Sequence, residues 1–178
     1  MQLETERLVL RPPREDDLDA LVPIYGDAEV MRYIGSGDAW TRSRSAEAIA
    51  RWTSYWDADG FGMLAVIRRE DGELIGDVGL LAWDPATWEH GTRAAIGPSA
   101  EIEIGWTLGR DAWGRGYASE AAFAVRDWAR DELGLRRLIS LIHPDNARSI
   151  RVAEKLGERY ERDVVVSARP ARLYSTAL

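Results

Sequence analysis

Hydrophobic and polar residues alternate most strictly over residues 100–108, where Ile102, Ile104, Trp106 and Leu108 interleave with Glu101, Glu103, Gly105 and Thr107. This period of two predicts a strand with Glu101 and Glu103 on one face. Glycines at 109, 114 and 116 interrupt the pattern, after which Ala118, Ala121, Ala122, Val125, Trp128 and Ala129 recur at helical spacing until Gly134. Upstream, residues 7–11 read as a short strand ended by Pro12 and Pro13. Leu18, Leu21, Val22 and Tyr25 mark a helix over 15–25, a second helical piece covers 28–33, and Ala46, Ile49, Ala50, Trp52 and Trp56 mark another over 43–56. Apolar runs at 61–67 and 74–81 flank Asp71-Gly72, a turn pair that predicts an antiparallel hairpin. Residues 82–99 have no period and read as a long loop. Residues 138–142 are a short strand, 146–156 a helix closed by Gly157, and 160–166 and 173–176 two last strands turning at Pro170. No repeat or linker interrupts this order, so residues 1–178 are read as one domain.

Composition narrows the function classes. No run approaches the ~20 apolar residues of a membrane span, and the first residues lack the basic start and apolar stretch of a signal peptide, so a cytoplasmic protein with no membrane partner is expected. The absence of cysteine excludes disulfides and a thiolate nucleophile. A net charge of -7 opposes attraction to a phosphate backbone, so nucleic acid is not an expected partner. With two histidines and no cysteine, no metal site is expected, although His90 lies near Glu89 and Asp84.

The strand–glycine–helix passage is the main candidate for chemistry. It gathers unpaired backbone N–H groups and the positive end of a helix dipole at one place, which suits a phosphate. Gly114 and Gly116 let a ligand approach the backbone, and Arg110 and Arg115 add charge nearby. No Gly-Lys pair follows, which removes the Walker loop. The run from Gly114 to Ser119 matches the first two glycines of a dinucleotide fingerprint, but the charged face of the preceding strand and the preceding hairpin are wrong for a doubly wound sheet. A plain glycine turn before a helix satisfies the local pattern as well.

Three segments resemble the GNAT superfamily of N-acetyltransferases, in particular its Rim-type branch, which includes ribosomal-protein N-terminal acetyltransferases. They are Leu3-Glu4-Thr5-Glu6-Arg7-Leu8-Val9-Leu10-Arg11, Trp113-Gly114-Arg115-Gly116-Tyr117-Ala118-Ser119-Glu120-Ala121, and Asp145-Asn146-Ala147-Arg148-Ser149 running on to Gly157. The resemblance implies an α+β fold with a mixed, mostly antiparallel seven-stranded sheet flanked by about four helices. It implies acetyl-CoA as co-substrate, its pyrophosphate held by amides of Gly114, Arg115, Gly116, Tyr117 and Ala118, with Arg110 nearby. Its pantetheine arm would pair with Trp106, Thr107 and Leu108 as an added strand. The loop pattern Gln/Arg-x-x-Gly-x-Gly/Ala, set on Gly114 and Gly116, has Asp111 in first place.

Acetyl transfer to an amine needs a neutral nucleophile, a stabilised oxyanion and a leaving thiolate. An α-amine of pKa ~8 is about a tenth neutral at pH 7, a lysine-like amine far less, so a base matters most for the latter. Glu101 and Glu103 are the candidates, and the resemblance favours Glu103; surface pairing with arginine is the alternative for each. Ser149 matches the serine offered to the cofactor sulfur as an acid, and Asn146 is both a cofactor-side contact and a helix N-cap. Trp40, Trp83 and Trp88 stand in aperiodic segments as candidate walls of an acceptor pocket, while Trp52, Trp56 and Trp128 fit apolar helix faces. The acceptor is a small-molecule amine or a peptide N-terminus, and the oligomeric state stays open, a homodimer included. A non-catalytic acyl-CoA-binding module of the same fold is the competing reading.

Overall fold

The computed structural model describes residues 1–178. Its strands are β1 (Leu3–Glu4), β2 (Leu8–Arg11), β3 (Met63–Arg68), β4 (Leu74–Trp83), β5 (His90–Gly91), β6 (Glu101–Leu108), β7 (Arg137–Ile142), β8 (Arg159–Val166) and β9 (Arg169–Ala177). Its helices are α1 (Leu18–Tyr25), α2 (Ala28–Met31), α3 (Arg42–Asp59), α4 (Arg93–Ile96), α5 (Tyr117–Asp131) and α6 (Ala147–Lys155). All strands join one sheet in the order β1-β2-β3-β4-β6-β7-β9-β8, with β5 hanging on β4. Every pairing is antiparallel except β6 with β7.

The seven strands expected from the pattern are all present, and the sheet gains two more, β1 and β5, each of two residues. Such pieces are too short to leave a period in the sequence. The helices number six rather than about four. α2 and α4 have four residues each, and α4 lies inside the region read as a loop. The last turn also moves: Ser167 and Ala168 carry positive φ, whereas Pro170 sits in β9 opposite Val165. There β9 overhangs β7, whose pairing begins only at Arg172, so the missing proline N–H leaves no gap in the ladder.

The sheet is covered on both faces. On one, Val78, Leu80, Ile102, Ile104 and Leu138 pack against Ala121, Ala122, Val125 and Ala129 of α5. On the other, Met63 packs with α1, α2 and α3 through Leu21, Ile24, Tyr25, Met31, Ile49 and Trp52. No helix is long and apolar enough to cross a membrane.

The β6–β7 contact positions the site. Its parallel ladder contains a single register pair, Glu103 with Ile139, while β6 stays paired to β4 as far as Leu108. The second edge of β6 is therefore open beyond that point.

Candidate functional site

α5 begins at Gly116, whose φ of 84° places it in the left-handed region, with Gly114 at 72° just before it. Glycine adopts this conformation without the Cβ penalty other residues meet. Glycine also supplies no capping side chain. The helix entries of α2, α3, α4 and α6 are capped by Asp27, Thr41, Thr92 and Asn146, whereas α5 has no side-chain cap. The first α5 amides are thus free at the positive end of a 15-residue helix. Glu120 in its first turn fastens the entry from behind, accepting from Thr5 Oγ1 (2.6 Å), Arg7 N–H (2.9 Å) and Arg7 Nε–H (2.7 Å). Arg7 also donates to the Arg115 carbonyl at 3.0 Å. The N-terminal segment therefore braces the loop.

A cavity of about 290 Å³ opens in front of these amides. Its walls include Gly114, Gly116, Tyr117, Ala118 and Ser119, the free edge Trp106–Leu108, and Asn146 and Ser149. α6 adds Arg148, Arg151 and Lys155, three exposed cations at helical spacing along the same wall. Arg148 also lies over the Trp113 ring, 3.8 Å from its centroid.

A second cavity, about 370 Å³, lies between the sheet and α1 and α3. The two share Tyr33, Ile34, Trp106, Thr107, Asn146 and Ser149. Ser149 is thus exposed to both, held by its backbone N–H donating to the Asn146 side chain at 3.2 Å. Glu103 enters only the second cavity. Its carboxylate accepts from Trp83 Nε1–H at 2.6 Å and from Leu141 N–H at 3.2 Å, an amide close to where the parallel ladder stops. Burial pushes this carboxyl up to about 7, the two donors opposing the shift. Gly105 keeps the neighbouring floor open, since a Cβ there would meet only Glu103 Cδ at 3.9 Å.

Two further carboxyls are buried nearby. Asp77 accepts from Tyr25 O–H at 2.5 Å, has its other oxygen unpartnered, and is pushed up to about 7 by burial. Glu158 accepts from Ser140 O–H at 3.1 Å, and burial pushes it up to about 8, with repulsion from Glu103 adding to the shift.

Most residues expected from the sequence converge here, but Arg110, Arg115, Glu101 and Trp88 do not. Arg110 is exposed and turned to Asp27, 2.6 Å away, and lines neither cavity. Arg115 is exposed between the two left-handed glycines and also lies outside both walls. Asp111 is an exposed residue of a 3-10 turn over Arg110–Ala112, away from the amides. The same loop spacing fits from Trp113 through Gly116 to Ala118, all three of which line the first cavity. Glu101 pairs with Arg137 at 3.2 Å, leaving Glu103 as the inward carboxylate. Trp40 and Trp83 do line the second cavity; Trp88 does not. No cluster of His, Asp or Glu could hold a metal ion. The basic face of α6 and the buried Asp77 were absent from the sequence reading. The first was legible as Arg148, Arg151 and Lys155 at i, i+3, i+7.

Residues 7–159 match the family model described as acetyltransferase (GNAT) domain. The chain is 32% identical over 161 residues to the uncharacterized N-acetyltransferase YnaD of Bacillus subtilis (strain 168), covering 90% of this chain and 84% of that protein. It superposes on an acetyltransferase from Agrobacterium tumefaciens str. C58 with a TM-score of 0.79 at 32% identity, covering 99% of this chain and 94% of that one. A ribosomal L7/L12 alpha-N-protein acetyltransferase in complex with coenzyme A gives the same TM-score of 0.79 at 15% identity, covering 100% of this chain and 98% of that one, a likeness of fold.

Proposed function

Because the chain belongs to the GNAT acetyltransferase family and is an acyl-CoA-dependent acetyltransferase, we propose that its first cavity receives acetyl-CoA and its second a primary amine. The observation that carries this reading is the shared wall: the cavities meet beside the open edge of β6, with Ser149 common to both and Glu103 in the second. The residues fit the group on its own terms. The uncapped α5 amides and the unpaired Arg148, Arg151 and Lys155 suit its phosphates, and the free edge Trp106–Leu108 suits the amides of its pantetheine arm. When bound, it supplies an activated acetyl thioester.

In this scheme Glu103 takes the proton of the incoming ammonium, directly or through a water. The neutral amine attacks the thioester carbonyl, the C–N bond forms and the C–S bond breaks. A backbone N–H of the Trp106 strand faces the oxyanion, and Ser149 gives its proton to the departing thiolate while regaining, directly or through a water, the proton that the acylated nitrogen sheds. No acyl-enzyme is needed, in keeping with a chain that has no cysteine. The Rim-type kinship rests on the three sequence segments and brings a peptide N-terminus into the set of acceptors beside small amines; a cytoplasmic setting accords with it.

The test is amine-dependent release of CoA from acetyl-CoA, assayed across acceptors. Release that no amine accelerates would remove the reading. Gly116→Val, which forces a β-branched residue to a φ of 84°, is expected to raise the KM for acetyl-CoA about tenfold while leaving the amine KM unchanged. Equal shifts in both constants would place the pyrophosphate elsewhere.

A further inference from the structure

The second cavity has a polarity of its own. Asp77, only 2% exposed, faces it with one carboxylate oxygen unpartnered and the other bonded to Tyr25. Tyr25 stacks on Trp40, centroids 4.3 Å apart and planes within 8°, and the Arg44 guanidinium lies 5.1 Å from the Trp40 centroid. One continuous wall therefore runs from a buried carboxyl group, along two flat rings, to a cation at the rim. Arg51, two helical turns beyond Arg44 on α3, lines the same cavity. Neither arginine has a carboxylate partner, although 15 ion pairs elsewhere occupy arginines across the surface. The charge of Arg51 reaches the cavity interior: it opposes protonation of His90, which burial already lowers.

Resting on the amine-acceptor reading above, we propose that the acceptor is a small dipolar molecule, a primary amine that also carries a carboxylate. Its ammonium is received at the free oxygen of Asp77 before transfer, and its carboxylate is held by Arg44 and Arg51. The aromatic wall of Tyr25 and Trp40 lies along the chain between the two ends. A cavity of about 370 Å³ suits a ligand of amino-acid size. An alkylamine with no anionic end leaves both guanidiniums unmatched, and an alkyl carboxylate leaves Asp77 unmatched. Asp77 acts here as a specificity residue, distinct from the base.

The test compares amines matched in length, 4-aminobutanoate against butylamine and 6-aminohexanoate against hexylamine, by CoA release from acetyl-CoA. The carboxylate member of at least one pair is expected to have a kcat/KM about tenfold higher or more. Arg44→Gln with Arg51→Gln, both at exposed positions, should erase that preference by bringing kcat/KM for the carboxylate member down to that of its alkylamine. Asp77→Asn should raise the KM of both members while kcat changes little; a merely structural loss would lower kcat and melting temperature together. Equal rates within every pair, or a preference that survives the double variant, overturns the proposal while leaving acetyl transfer standing. Acetylation of acidic peptides alone, with no turnover of either small series, also overturns it in favour of a peptide acceptor. Loss of any acetyl-CoA-induced rise in melting temperature sinks the acetyl-CoA site itself, a different failure.

Discussion

Glu103→Gln is expected to lower kcat about 100-fold at pH 7 with the KM for acetyl-CoA unchanged, the size of effect that removing a positioned base produces. The substitution keeps the shape, but Trp83 Nε1–H and Leu141 N–H reach different oxygens of Glu103, so the amide accepts from one of them and turns its NH2 to the other; the pH profile, rather than kcat alone, therefore isolates the loss of proton affinity. Burial holds the Glu103 carboxyl at about 7. The wild-type kcat/KM should therefore rise with pH through an inflection near about 7, and this limb should vanish in the variant. A base in that range is ionised enough to accept a proton at neutral pH and basic enough to attract one. Initial rates between pH 5.5 and 9 decide the matter. A fall in kcat of less than a few-fold would mean that the amine arrives neutral or that another group takes its proton.

The second large effect concerns stability: the folded protein should resist urea better at pH 5 than at pH 8. Asp77 and Glu103 are pushed up to about 7 and Glu158 to about 8, all by burial. Between their ordinary values near 4 and these raised values, the native state holds protons that the unfolded chain has released. Stability then falls as pH rises, by about 1.4 kcal/mol per pH unit for each such group. Asp17, Asp71, Glu120 and Glu161 work in the opposite sense, being held below their ordinary values by hydrogen bonds and arginines, so they matter only toward acid pH. Urea unfolding at pH 5, 6.5 and 8 at constant ionic strength should give a steadily declining free energy, with Asp77→Asn reducing the slope. A flat or rising trend would mean that these carboxyls are ionised in the native state.

Much of this architecture was legible in the chain. The seven longer strands and the entry into α5 follow from periodicity and glycine placement, because those signals arise from local backbone physics. The inward direction of Glu103 was half legible: alternation put it on a face with Glu101, but only the Arg137 contact separates their roles. Other features turn on contacts that the local pattern does not carry. Arg110 and Arg115 looked suited to phosphate because they flank the glycines, yet a long side chain goes to its nearest opposite charge or to water, as Arg110 does at Asp27. Asp77 was hidden because it reads as one polar residue in an apolar strand; its importance depends on α1 bringing Tyr25 to it across 52 residues of sequence. Pro170 misled because a proline signals a turn only where its N–H would be missed.

The lone parallel pair of Glu103 and Ile139 divides the sheet into two plates, β1 to β6 and β7 to β9, joined at one seam. In the proposed scheme donor and acceptor meet beside that seam, where the two cavities share a wall. The wall proposed to select the acceptor belongs to α1 and α3 and to the segment between them. On the proposed scheme, substitutions there would retune which amine enters while the groups at the seam keep their alignment, a division of labour that would let one scaffold change its clientele without relearning its reaction.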